Sequence, residues 1–223
     1  MDMTIPRIVL LGLGTLIMGC SGKYHVAVNG FLDTKRVSTI VPDARVGILL
    51  DDDADNPIFR NEVSQKIETL LTTKGYRVSP PDSADYQLSF QYGMDAGKTV
   101  HSTRLMHDPP DIVTIRRTNS KGGHSYSTIH VPGSTYYVSH SETVFGGWLV
   151  LHLYETPKSE QASSEAKPVW IGEIVSSSTS SDLREAINPM LIAAFDYFGK
   201  NTEKRIENTI SKTDPRLKHL HSQ

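Results

Sequence analysis

A single cysteine, Cys20, stands among 223 residues, so no disulfide within the chain can hold the fold together and an apolar core must do it. Charge of one sign is also missing. Twenty-three basic side chains against 25 acidic ones give a net charge of −2, and no basic excess marks a nucleic-acid partner. No hydrophobic run is long enough to span a bilayer. The uncharged stretch 8–18 has eleven residues, whereas a transmembrane helix needs about 20. Catalytic signatures are absent too. There is no G-x-S-x-G elbow, and Gly12-Leu13-Gly14 lacks the third glycine, at Ile17, that would complete a dinucleotide loop. Hydrophobic residues make up 38% of the chain, which suffices for one folded domain.

What is present begins with the leader. Arg7 and the free amine form a short positive head, 8–18 an apolar middle, and Gly19 a small residue before Cys20. These are the three parts of a secretory signal, whose apolar region is about 7–15 residues long. Ile17-Met18-Gly19-Cys20 resembles the lipobox of bacterial lipoproteins. The resemblance implies that 1–19 is removed and that Cys20 becomes the first mature residue. It would then carry a thioether-linked diacylglycerol and an N-acyl chain such as palmitate. Each buried CH₂ adds about 0.8 kcal/mol, and several chains hold where one does not. Ser21 follows, not the Asp that retains such proteins in the inner membrane, so the resemblance points to the periplasmic face of the outer membrane.

Along the chain, 20–44 reads as a lipidated tether and a first strand at 24–28, and 45–200 as the periplasmic domain. Val46 opens a compact apolar run, 46–50, suited to a buried strand. Asn56-Pro57 starts a helix whose dry face is Phe59, Val63, Ile67, Leu70 and Leu71, and Lys74-Gly75 closes it. Tyr86, Leu88, Phe90 and Tyr92 alternate along a strand and form one face, the kind of stripe that belongs to a core. Further strands are expected at 112–116, 126–131, 135–139, 148–154 and 169–175, with Gly146-Gly147 as a tight turn. A polar loop occupies 157–167. A last helix spans 183–198, broken or restarted at Pro189. The remainder, 201–223, is a polar tail with a short helix to Ile210. This order predicts an α+β domain, a mainly antiparallel sheet with two principal helices packed on one face. The helix, Gly75-Tyr76-Arg77-Val78 and Ala84-Asp85-Tyr86 also resemble a unit of uncharacterised periplasmic lipoproteins, which supports the same fold.

Asp51, Asp53, Asp55 and Glu62 occupy positions 1, 3, 5 and 12 of an EF-hand register, with Ile58 at the apolar position 8. Asn56 replaces the glycine of position 6 and Pro57 fixes position 7, so an acidic loop before a helix N-terminus explains the cluster better than calcium does. None of the nine histidines forms an H-x-x-x-H pair on an expected helix. His219 and His221 lie in the tail, His101 and His107 in a loop-like region, and His124, His130 and His140 on strands. No catalytic residue, metal or cofactor is therefore assigned, and Cys20 is the one site. The expectation is a non-enzymatic envelope lipoprotein that binds or scaffolds a protein partner and is held to the membrane by its anchor. The alternative is a periplasmic hydrolase assembled from distant residues such as His101, His107 or His140.

Overall fold

A computed structural model describes residues 22–50, 56–157 and 167–221. The chain forms a mixed α+β fold built on a large, mostly antiparallel sheet. Its strands are β1 (Lys23–Leu32), β2 (Arg45–Ile48), β3 (Arg77–Val78), β4 (Tyr86–Met94), β5 (Lys98–His107), β6 (Asp111–Thr118), β7 (His124–Val131), β8 (Thr135–Glu155), β9 (Trp170–Ser178) and β10 (Ile206–Ser211). The helices are α1 (Pro57–Thr73), α2 (Leu183–Asp196) and α3 (Pro215–His221). Strand order is β10-β1-β9-β8-β4-β2-β3, with β5 attached to β8, and β6 and β7 form a separate two-stranded ladder. Among the described residues only the pairs β2–β3 and β2–β4 are parallel; α1 supplies the crossover that parallel neighbours require.

Alternation decides which residues enter the core. Val26 and Val28 on β1, Leu88 and Phe90 on β4, Leu149, Leu151 and Leu153 on β8, and Ile174 on β9 are buried. Helix α2 contacts β1, β8 and β9, whereas α1 contacts β2, β3 and α2. The start of α1 follows from its cap. Asn56 Oδ1 accepts from the Phe59 amide at 3.0 Å, and Pro57 takes the first turn, where its missing N–H costs nothing. Phe59, Val63, Ile67, Leu70 and Leu71 are buried, and Gly75 ends the helix at φ 90°.

Four elements differ from the sequence reading. Gly146-Gly147 is not a turn: β8 runs unbroken through it for 21 residues. The glycines serve close approach instead. A Cβ on Gly147 would lie 2.9 Å from Ser176 Oγ, and one on Gly146 would lie 2.7 Å from Asp95 Oδ2. Residues 98–107 form strand β5, because their backbone groups pair with β8 residue by residue. Pro189 neither breaks nor restarts α2, which continues through it with the proline buried. Finally, 206–211 is strand and not helix. It pairs with β1 from Lys23↔Ser211 to Val28↔Ile206, and α3 then buries Leu217 and Leu220.

The segment after α2 is clamped onto the sheet. Trp170 Nε1 donates to the Lys200 carbonyl at 3.0 Å, the Thr202 amide donates to the Gly30 carbonyl at 2.9 Å, and the Gly30 amide donates to Thr202 Oγ1 at 2.9 Å. Gly199, at φ 70°, turns the chain into this clamp.

Candidate functional site

Two places in the fold expose chemistry: a β-ribbon that leaves the domain, and a polar cleft beside the long helices. The ribbon begins where β4 hands over to β5. Asp95 Oδ1 accepts from the Gly97 amide at 3.0 Å and the Gly146 amide at 2.8 Å, and the Asp95 amide donates to the Gly146 carbonyl. From this root β5 and the first half of β8 pair from Lys98↔Val144 to His107↔Thr135. Ten residues at about 3.4 Å each carry the ladder about 30 Å beyond the root. Its pairing is then interrupted at Pro109-Pro110 and Pro132-Gly133. There the Asp108 amide donates to the Ser134 carbonyl, and a Cβ on Gly133 would lie 2.3 Å from the Asp108 carbonyl. Strands β6 and β7 pair beyond this interruption, up to a turn held by Asn119 Oδ1, which accepts from the Gly123 amide at 2.7 Å.

Every residue of β5 and β7 is exposed, as are 135–143 of β8. Tyr137 is 76% exposed and Tyr126 67%, far from the fate of core aromatics. Register sorts the ribbon into two faces. Thr99, His101, Thr103, Thr135, Ser139, Ser141 and Thr143 share one, with Leu105 and Tyr137. Val100, Arg104, Met106, Tyr136, Val138 and Glu142 share the other. His101 Nδ1 and Ser141 Oγ are 2.8 Å apart, and His107 Nδ1 and Thr135 Oγ1 2.9 Å, both on the first face, whereas His140 lies on the second. His124 bonds Arg116 and Thr118 on the outer ladder. His101, His107 and His124 are thus exposed strand residues with hydroxyl or guanidinium neighbours. Among the described residues no group of three or more His, Cys, Asp or Glu could hold a metal ion.

Below the root, the side of β8 opposite its buried leucines carries Trp148, Val150, His152 and Tyr154, next to Val175 of β9. Trp148 and Val175 are each 39% exposed. Partial burial pushes the His152 pKa down, and Glu173 pulls it the other way.

The polar cleft, about 400 Å³, is lined by Glu62 and Lys66 of α1 and by Asp182, Arg184, Glu185 and Asn188 at the start of α2. Lys66 is buried, and its ammonium lies 2.6 Å from Glu62 Oε1; Arg184 lies 3.7 Å from the other oxygen. Glu185 accepts from Tyr24 and from Lys212, each at 3.2 Å, and the Lys212 bond holds its carboxyl below the usual range. Every carboxylate of α1 and α2 that faces the cleft therefore has a cation beside it or caps a helix, as Asp182 does for Arg184. This is an ion-pair network, not an acid–base dyad. Sequence spacing carried one signal for it, the i, i+4 pair Glu62–Lys66; Arg184 comes from 122 positions beyond Glu62 and could not be read. A second, more apolar groove of about 530 Å³ lies among Leu70, Ile192, Phe195 and Leu220, rimmed by Asp196 with Lys74 and Arg216.

Of the residues singled out in the sequence, Cys20 and Asp51, Asp53 and Asp55 lie outside the described residues. Glu62 is turned into the ion pair with Lys66. No described helix is long and apolar enough to cross a membrane.

No protein-family model and no curated protein matches this chain. Among solved structures it is similar to a PDZ domain protein from Parabacteroides distasonis, with a TM-score of 0.46 and 12% identity. That match covers 86% of this chain and 40% of the other, so the chain spans two-fifths of that protein's length. It is also similar to a PelC dodecamer from Paraburkholderia phytofirmans, with a TM-score of 0.39 and 11% identity, over 79% of this chain and 99% of the other. Likenesses this distant carry no argument about function.

Proposed function

We propose that the chain is a membrane-anchored envelope lipoprotein whose domain binds or scaffolds a protein partner. Its anchor is lipidated Cys20, and its place is the periplasmic face of the outer membrane. The leader 1–19 and the lipobox-like Ile17-Met18-Gly19-Cys20 support the anchor. The observation that carries the binding role is the ribbon, a ladder of β5 and β8 whose side chains are exposed on both faces. A two-stranded ladder is at best marginally stable in water, so one extended this far is a surface offered for contact. In this reading α1 and α2, the two principal helices, cover one face of the sheet. Trp148, Val150 and Tyr154 on the opposite side extend the contact surface down from the ribbon's root.

Cys20→Ala tests the anchor. The variant should leave the membrane pellet for the soluble fraction, and the wild type isolated from its host should show the added mass of acyl chains and lack 1–19. Unchanged fractionation, or an unmodified N-terminus, refutes the reading. For the hydrolase alternative, His101 and His107 share one face of the ribbon and His140 takes the other, so no observation gathers them into one site.

A further inference from the structure

Among the described residues the ribbon has two free edges. Strand β5 pairs only with β8, and β9 leaves β8 at Phe145↔Ser178, so 135–144 has β5 on one side and nothing on the other. Each edge is ten residues long, and alternate residues of each direct N–H and C=O groups outward. Natural sheets guard such edges with prolines, bulges or dense charge. Here 98–107 and 135–144 contain no proline; Pro109, Pro110 and Pro132 sit just past the distal end and only limit the length of the ladder.

We propose that the occupant of these edges is a second copy of this chain, with β8 of one copy pairing with β5 of the next. The inference rests on the binding role proposed above and names its partner. Three observations select a copy over an unrelated protein. First, the two edges are equal in length and belong to antiparallel strands. A rotated copy therefore meets β8 with its own β5 in the same antiparallel sense as the native β5. About ten backbone hydrogen bonds form at each such contact. Second, the charges are divided by strand. Lys98 and Arg104 lie on β5 and Glu142 on β8, with no other Lys, Arg, Asp or Glu in either stretch. Pairing β5 with β8 sets opposite charges side by side, whereas β5 with β5 or β8 with β8 sets like charges together. Third, the contact is head-to-tail. Repeating it gives a closed ring of alternating β5 and β8 strands with no edge left over. Neither face of this ladder is a continuous apolar band, since Thr, Ser and His fill one and Arg104, Lys98 and Glu142 interrupt the other, so both sides of the ring stand in water.

The test uses the lipidated full chain in detergent, with mass read by light scattering after gel filtration and folding checked by circular dichroism. The wild type should run as one discrete multiple of the single-copy mass. Glu142→Lys makes both strands positive and should raise the half-assembly concentration about tenfold or more. The triple variant Lys98→Glu, Arg104→Glu, Glu142→Lys reverses the whole pattern and should restore the multiple. Cysteine replacements at Ser102 and at Ser139, His140 or Ser141, made in separate proteins and mixed, should form disulfides between copies. A single-copy mass for the wild type, an open-ended ladder of sizes, or no rescue by the triple variant overturns the proposal. If the wild type is single-copy yet holds a different envelope protein through the ribbon, this inference fails while the binding role stands. Loss of membrane retention in the wild type removes the binding role's anchor instead.

Discussion

Replacing Gly30 with alanine tests whether the clamp after α2 is a fixed part of the fold. Gly30 lies on β1, paired with Gly172, and its backbone is ordinary strand that any residue adopts. The constraint is space. A Cβ there would lie 2.5 Å from the Lys200 carbonyl oxygen and 3.3 Å from Thr202 Cγ2. Ordinary contact requires the carbonyl to retreat by about 1 Å, in an interior packed like a crystal. That carbonyl accepts from Trp170 Nε1 at 3.0 Å, and the same turn exchanges two more hydrogen bonds with Gly30. Net contributions of about 0.5–1.5 kcal/mol per bond, with overpacking of about 1–3 kcal/mol if the turn does not yield, put the loss at about 2–4 kcal/mol. For a domain of this size, 1 kcal/mol shifts Tm by about 2–4 °C, so Gly30→Ala should melt about 5–15 °C early. Thermal unfolding followed by near-ultraviolet circular dichroism reads the loss of ordered aromatic packing, to which Trp170 and Trp148 both contribute. Gly75→Ala is the control: nothing lies within 4 Å of its Cβ, and only its φ of 90° resists the change, at about 1 kcal/mol. A Gly30→Ala protein that melts within a degree of wild type would show that the clamp yields freely and that the reasoning from its geometry is wrong.

Other outcomes follow from single features. Asn56→Ala removes the side-chain acceptor for the Phe59 amide and should cost about 1 kcal/mol, read as a lower denaturant midpoint at unchanged slope. Hydrogen bonds from Arg45 hold the Asp85 carboxyl down at about 2, against an ordinary value of 3.8. A depressed carboxylate stabilises the fold above its unfolded pKa and loses that contribution as pH falls through the folded one. The Tm difference between wild type and Asp85→Asn should therefore be steady above about pH 4 and shrink towards pH 2; a difference that grows on acidification would refute the Arg45 pairing. Cys20→Ala should release the protein from membranes, and Glu142→Lys should weaken the proposed association between copies, each by the measurement given above.

The local parts of this fold were legible because they depend on neighbours a few residues apart. Asn56-Pro57, the spacing of Phe59, Val63, Ile67 and Leu71, and Gly75 define α1 with no reference to the rest of the chain. The alternation of Leu88 and Phe90, or of Leu149, Leu151 and Leu153, likewise defines strands with one buried face. Polar strands gave no such signal. Residues 98–107 and 206–211 lack apolar alternation and are strands because β8 and β1 satisfy their backbones. Gly146-Gly147 has the composition of a turn, and only the approach of Asp95 and Ser176 shows why glycine stands inside a continuous strand.

The absence of any disulfide within the chain and the α+β class are properties of composition and short-range pattern, and the sequence by itself determined them; the lipobox-like Ile17-Met18-Gly19-Cys20, from which the proposed anchor comes, is likewise a short-range pattern. Where β5 and β8 leave the sheet, which of their edges stay unpaired, and how Lys66 comes to lie buried against Glu62 beside Arg184 were decided only in three dimensions. The physical reason is that an edge is a property of what is missing beside a strand. No residue encodes its own absent neighbour, whereas the sheet that closes around β8 below Phe145 and opens above it defines that edge outright.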